Sequence, residues 1–143
     1  VYGIKKGFGG MISGEIIPKL IDEIPIFCVV ASQANTPSVV KNAEELKVKE
    51  SDRITLMVDG LRACGVEAEE LPDGLVVNGR GPKSVRGGAE IRTLGDHRIA
   101  MSFLVLGLGS KEPVTVDDAD MIATSFPGFA AFMQSLGADI VAL

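Results

Sequence analysis

Seven ionisable side chains crowd residues 44–53, Glu-Glu-Leu-Lys-Val-Lys-Glu-Ser-Asp-Arg, between two aliphatic segments. With the Gly-Asp-His-Arg stretch at residues 95–98, this run holds most of the side chains that could do chemistry. A planar guanidinium grips carboxylate or phosphate in bidentate fashion, and Arg53 and Arg98 both fall where a helix is expected to begin and its free amides favour anions. Two such arginines converging would clamp a small dianion. Glu50, beside Lys49, suits a general acid if burial raises its pKa toward neutrality, and Asp22 suits the complementary base. Each residue also has a plain structural reading. Glu50 and Arg53 are spaced for a surface ion pair worth about 0.3–0.5 kcal/mol. Asp22 favours a helix dipole, Asp96 is a good N-cap, and a lone His97 is more often a hydrogen-bonded structural residue than a catalyst. Spacing alone leaves both readings open.

The elements that must position these residues follow from periodicity and turn chemistry. Residues 3–15 are glycine-rich, with Lys5 and Lys6 among them, and read as a tightly turned segment rather than a phosphate loop. Residues 16–21 are β-branched and interrupted by Pro18. Asp22 and Glu23 then precede a buried helix over 24–34, with Pro25 in its first turn, and a strand over 38–40. The charged run reads as a loop entering a helix, with Ser51 as its N-cap. In that helix Ile54, Met57, Val58 and Leu61 recur at helical spacing and Gly65 supplies the stop. A hairpin over 66–71 and 75–77 turns through Pro72-Asp73-Gly74, an exposed connection spans 78–88, and a short strand follows over 89–93. Residues 99–108, apolar almost all round, make a helix buried on most faces. The remainder reads as a strand over 114–116, a polar loop over 117–125, a helix over 126–136 started by Pro127 and stopped by Gly137, and a final strand over 140–143.

The 143 residues fit one ordinary domain, and 46% hydrophobic content with 5% aromatics and no Trp makes its core aliphatic. A net charge of −5 argues against nonspecific binding to nucleic acid or an anionic membrane, which needs a basic face. Cys28 and Cys64 each sit in an apolar periodic segment with no His or Cys at metal-ligand spacing, and are expected as buried, reduced thiols. The longest apolar run, residues 99–109, falls short of the roughly 20 needed to span a bilayer, and no signal-peptide pattern opens the chain. A soluble protein of a reducing compartment, the cytoplasm, is expected. The chain opens on Val1 as though in mid-sequence, so a fragment of something longer is expected too.

The two halves repeat. Residues 24–40 and 100–116 both run buried helix, proline, strand, with Pro37 over Pro113 and Val40 over Val116, a spacing of 76 residues. Asn42-Ala43-Glu44 lies over Asp118-Ala119-Asp120, and each half carries a later helix that ends in glycine. Such a long period implies two copies of one α/β unit about a pseudo-symmetry axis rather than a solenoid. That arrangement would bring the charged run beside the helix start at Gly95.

Residues 47–54, Lys-Val-Lys-Glu-Ser-Asp-Arg-Ile, followed by residues 95–101, Gly-Asp-His-Arg-Ile-Ala-Met, resemble the paired signatures of the 5-enolpyruvylshikimate-3-phosphate synthases. These are the carboxyvinyltransferases of the shikimate pathway of aromatic amino-acid biosynthesis. Leu-Ile-Asp-Glu-Ile-Pro at 20–25 and Ala-Thr-Ser-Phe-Pro at 123–127 resemble the same family, so the likeness crosses nearly the whole chain. It implies an α/β fold of repeated βαβαββ-type units, with helices buried between small sheets. The chain would be the C-terminal portion of one domain, its two units covering about residues 1–78 and 79–143, with the N-terminal domain absent.

In that family the 5-hydroxyl of shikimate 3-phosphate adds to C2 of phosphoenolpyruvate while C3 is protonated, and phosphate then leaves, with no metal or organic cofactor. The resemblance implies that Asp22 accepts the hydroxyl proton and that Glu50 protonates the methylene carbon and takes that proton back. It implies Lys49 as a contact to the shikimate moiety, Arg53 and Arg98 as the phosphoenolpyruvate clamp, and His97 as their neighbour. Two positions depart from the pattern: Thr124 stands where some members have a Lys, and Glu45 where some have an Asn facing the shikimate ring. The Lys, Ser and Arg groups that the family's N-terminal domain contributes match nothing here. The expected partners are therefore the two small-molecule substrates and that missing domain, in a monomer when full length; the chain alone is expected to bind anions weakly without turnover. The alternatives are a transferase of the enolpyruvyl group to UDP-N-acetylglucosamine, or a non-catalytic domain of the same fold.

Overall fold

The computed structural model describes residues 7–143. Lys5 and Lys6 of the glycine-rich opening lie outside the described residues. Strand β1, Met11–Ile12, leads through a 3₁₀ turn at Gly14–Ile16, the short helix α1 at Ile17–Leu20 and a second 3₁₀ turn at Ile21–Glu23 into helix α2, Ile24–Ser32. The β-branched residues 16–21 are thus helical: Pro18 starts α1 in the first-turn position where its missing N–H costs nothing. Strand β2 is Ser38–Val40, the charged run makes a 3₁₀ turn at Glu44–Val48, and helix α3 spans Arg53–Ala63. Strands β3, Glu67–Leu71, and β4, Gly74–Asn78, form the expected hairpin. The second half contains β5 at Glu90–Ile91, α4 at His97–Leu108, β6 at Thr115–Val116, α5 at Ile122–Ser125 and α6 at Phe129–Ser135.

The architecture is α/β. One sheet has the order β1-β2-β4-β3, parallel between β1 and β2 and antiparallel beyond; a second sheet pairs β5 with β6 in parallel. A parallel pair needs a crossover, and α2 and α4 supply the two. Their registers correspond, Val40 closing one pair opposite Ile12 and Val116 closing the other opposite Ile91.

Between the sheets α2, α3 and α4 pack on one another. The stripe Ile54, Met57, Val58 and Leu61 of α3 is buried to 1% exposure or less and meets Ile24 and Cys28 of α2 and Ile99, Phe103 and Leu106 of α4 in one core. Full burial of each large apolar side chain contributes about 1.5–3 kcal/mol. Helix α4 has an additional apolar face, where Ala100, Met101 and Leu104 pack with Ile122 and Phe129, which is why its sequence is apolar nearly all round. Both cysteines are fully buried free thiols, and burial pushes their pKa up, to about 12 for Cys28 and about 11 for Cys64. Among the described residues no helix is long and apolar enough to cross a membrane.

Four local expectations are corrected. Asp52, not Ser51, caps α3, its carboxylate accepting from the Thr55 amide at 3.1 Å. The polar loop at 117–125 contains α5, which Ile122 anchors by burial. The helix placed at 126–136 begins only at Phe129, because Gly128 precedes it at φ 83°, a left-handed conformation that no helix continues through. Residues 140–143 form no strand: no neighbouring strand pairs with them among the described residues, and Val141 and Leu143 stay exposed.

Candidate active site where three helices begin

Helices α2, α3 and α4 point their N-termini at one place, and the side chain found there is Arg53, the first residue of α3. Its guanidinium is 1% exposed. Burying such a charge costs several kcal/mol unless every donor is partnered, and here each nitrogen has its own carboxylate. Nε donates to Asp96 Oδ2 at 2.8 Å, Nη1 to Asp22 Oδ1 at 3.0 Å and Nη2 to Glu50 Oε2 at 2.5 Å. Asp22 comes from the turn before α2, Glu50 from the approach to α3, and Asp96 is the N-cap of α4. One side chain therefore ties the three helix starts together.

The three carboxylates are not equivalent. Asp96 has no exposed surface, whereas the side chains of Asp22 and Glu50 are 46% and 52% exposed. Asp96 Oδ1 accepts the amides of Arg98 and Ile99 at 2.9 and 3.3 Å, and Oδ2 accepts the Ser51 hydroxyl at 2.8 Å in addition to Arg53. Burial works against its charge, but the hydrogen bonds from Arg53 and Ser51 and the nearby positive charge outweigh it and hold the carboxyl below its usual range. Burial likewise opposes the Arg53 charge, and the bonds and charges of Asp96, Asp22 and Glu50 overcome it.

Arg98 lies on the far side of Asp22. Its Nη1 donates to the Asp22 carbonyl at 3.0 Å and to Glu23 Oε1 at 3.4 Å, while Nη2 stands 3.7 Å from Asp22 Oδ2. Asp22 thus faces both arginines. His97 opens α4, half-buried. The Thr93 amide and hydroxyl hold Asp117 Oδ1 at 2.9 and 2.7 Å, which fixes the turn that delivers Asp96. Burial raises the Asp117 pKa, but those Thr93 bonds outweigh it and bring the carboxyl below its usual range.

Lys49 is close by in sequence yet differently engaged: its ammonium is 2.6 Å from Glu45 Oε1, a bond that raises its pKa. Glu45, one of the two departures from the family pattern, is therefore the partner of the lysine expected to meet the shikimate moiety. Thr124, the other, is exposed on α5 and donates to the Met121 carbonyl at 2.7 Å. Among the described residues no group of three or more His, Cys, Asp or Glu is arranged to hold a metal.

The structure gathers Asp22, Glu50, Arg53 and Arg98 within direct contact and leaves Lys49 on Glu45. The Glu50–Arg53 pair is not the plain surface pair its spacing also allowed, since Arg53 is buried. Sequence reasoning missed the second function of Asp96, which holds Arg53 as well as capping α4; the signal was its place in the same short motif as Arg98.

The family model for EPSP synthase (3-phosphoshikimate 1-carboxyvinyltransferase) matches residues 5–133. The chain is 58% identical over 126 residues to the 3-phosphoshikimate 1-carboxyvinyltransferase of Phenylobacterium zucineum, covering 88% of this chain and 28% of that protein. An EPSP synthase structure from Acinetobacter baumannii superposes with a TM-score of 0.86 at 38% identity, over 93% of this chain and 30% of that one. An enolpyruvyl transferase from Streptomyces tendae, at 19% identity over 95% of this chain and 30% of that one, shares the fold with a TM-score of 0.73. The chain thus spans about 30% of the length of the relatives it matches. With the family motifs falling on the converging helix starts, the chain belongs to the EPSP synthase family.

Proposed function

We propose that, in the complete protein, this chain supplies the acid–base half of a site that transfers the enolpyruvyl group from phosphoenolpyruvate to the 5-hydroxyl of shikimate 3-phosphate. The observation that carries the reading is the sharing of the buried Arg53 fork by two exposed carboxylates, Asp22 and Glu50, at three helix N-termini. The helix ends and the arginines favour an anion; the carboxylates can accept and deliver protons. Phosphoenolpyruvate exchanges with an exposed carboxylate at the fork, while the buried Asp96 keeps Nε.

In the addition step the substrate oxygen bonds to C2 of phosphoenolpyruvate, its proton passes to Asp22, and Glu50 delivers a proton to C3. In the elimination step the bond from C2 to the phosphate oxygen breaks, the C3 methyl group gives up one of its three protons to Glu50, and the proton held by Asp22 leaves with phosphate. Lys49 contacts the shikimate side once the substrate competes with Glu45, and His97 lines the clamp beside Arg98. These residues call for no metal or organic cofactor.

The chain is the C-terminal portion of one domain, built of two α/β units at about 1–78 and 79–143. The N-terminal domain supplies the remaining phosphate-binding groups. The complete protein acts as a cytoplasmic monomer. The test is turnover by the complete protein with both substrates: Glu50→Gln should lower kcat by about 10²–10⁴-fold, the usual contribution of a positioned acid. An unchanged kcat would remove Glu50 from the mechanism, and no phosphate release by the unsubstituted protein would refute the reading as a whole.

A further inference from the structure

Ser51 sits inside the charged motif, yet the scheme above gives it nothing to do. Asp52 caps α3, so Ser51 is not needed to start that helix. Its hydroxyl instead donates to Asp96 Oδ2 at 2.8 Å, across 45 positions of the chain, onto the oxygen that also takes Arg53 Nε. The terminal torsion of an aspartate is soft, so a single partner on Oδ2 would leave the plane of the carboxylate loosely set. The Ser51 hydroxyl on one oxygen, with the Arg98 and Ile99 amides on the other, fixes that plane. A planar guanidinium bonded to the carboxylate takes its orientation from it. The same carboxylate thereby sets the side chain of Arg53 and the backbone that carries Arg98, while remaining wholly inaccessible itself.

We propose that Ser51 is a positioning residue: acting through Asp96, it sets the orientation of the Arg53 guanidinium relative to Arg98, and with it the affinity of the clamp for the anionic groups of phosphoenolpyruvate. The inference rests on the enolpyruvyl-transfer reading for its substrate and on the hydrogen-bond geometry for its cause. In the complete protein, Ser51→Ala should raise KM for phosphoenolpyruvate roughly tenfold, about what one bond to a charged group accounts for, and change kcat less. KM for shikimate 3-phosphate should stay as it was, and Ser51→Thr, which keeps the hydroxyl, should restore the first KM. A Ser51→Ala variant with an unaltered KM for phosphoenolpyruvate, or a rise that Ser51→Thr leaves in place, would overturn the proposal. The Arg53 Nε–H resonance in a ¹⁵N NMR spectrum reads the same placement without substrate. It should shift in Ser51→Ala and return in Ser51→Thr, and an unmoved resonance would overturn the proposal whatever the turnover. Absence of turnover in the unsubstituted protein would instead count against the proposed function and leave this second readout to decide the positioning.

Discussion

At the scale of residues, Asp96 does the most with the least surface. It caps α4, accepts Arg53 and accepts Ser51, all without exposure to solvent. Breaking a buried pair by neutralising one member costs about 3–5 kcal/mol, so Asp96→Asn should destabilise the complete protein by that order at pH 7. The folded-state pKa of Asp96 is held below 3.8, so its stabilisation is fully present above that value and is lost as pH falls through the folded pKa. Urea unfolding from pH 7 downward should therefore show the gap between Asp96→Asn and the unsubstituted protein closing below about pH 4, and a constant gap would contradict the assignment. Arg53 and Arg98 were legible as an anion-gripping pair, Glu50 and Asp22 as an acid and a base, and Asp96 only as a helix cap. Their wiring was not: Arg53 meets Asp22 and Asp96 across 31 and 43 positions, distances over which sequence spacing says nothing. Ser51 and Asp52 are both residue types that cap helices; in the fold the Ser51 hydroxyl goes to Asp96, 45 positions away, and Asp52 caps α3.

At the scale of elements, the site depends on α3 and α4 lying close enough for Arg53 and Asp96 to meet. Gly60 permits that approach, since a Cβ built there would overlap the Phe103 ring of α4. Gly60→Ala should gain about 1 kcal/mol of helix propensity but lose more by overpacking, which costs about 1–3 kcal/mol. A lowered unfolding midpoint, reversed by pairing Gly60→Ala with Phe103→Leu, is expected; a raised midpoint in the single variant would show the helices free to move apart. The long elements were readable because their periodicity is strong, as with the α3 stripe at Ile54, Met57, Val58 and Leu61. The errors fall where a partner or one special conformation decides. Residues 140–143 have strand-forming side chains and no strand beside them, and Gly128 delays α6 by its left-handed turn.

At the scale of the whole molecule, the chain spans about 30% of the length of its relatives, and Arg53, proposed as part of an anion clamp, is already held by the chain's own carboxylates. On the proposed reading, cations from elsewhere in the complete protein draw the two anionic substrates to it. Phosphate release from phosphoenolpyruvate and shikimate 3-phosphate should therefore be absent from the isolated 143 residues and present in the complete protein. Comparable release by both would mean that the site is whole as it stands. The 76-residue repeat made the juxtaposition of the charged run and the Gly95 turn legible in the sequence, because loops on one side of two packed units share an edge. The phosphate-binding groups proposed to complete the site were not legible, since no motif in these 143 residues matches them.

If Glu50 moves a proton to and from C3 of phosphoenolpyruvate, as proposed, solvent hydrogen must pass through it into the product. With the complete protein in deuterated water, the methylene group of the enolpyruvyl product should acquire deuterium during turnover, because the proton Glu50 delivers comes from solvent and need not be the one removed. In Glu50→Gln, incorporation per unit time should fall with turnover, by about 10²-fold or more. Deuterium entering the methylene group at an undiminished rate in that variant would mean that another group protonates C3.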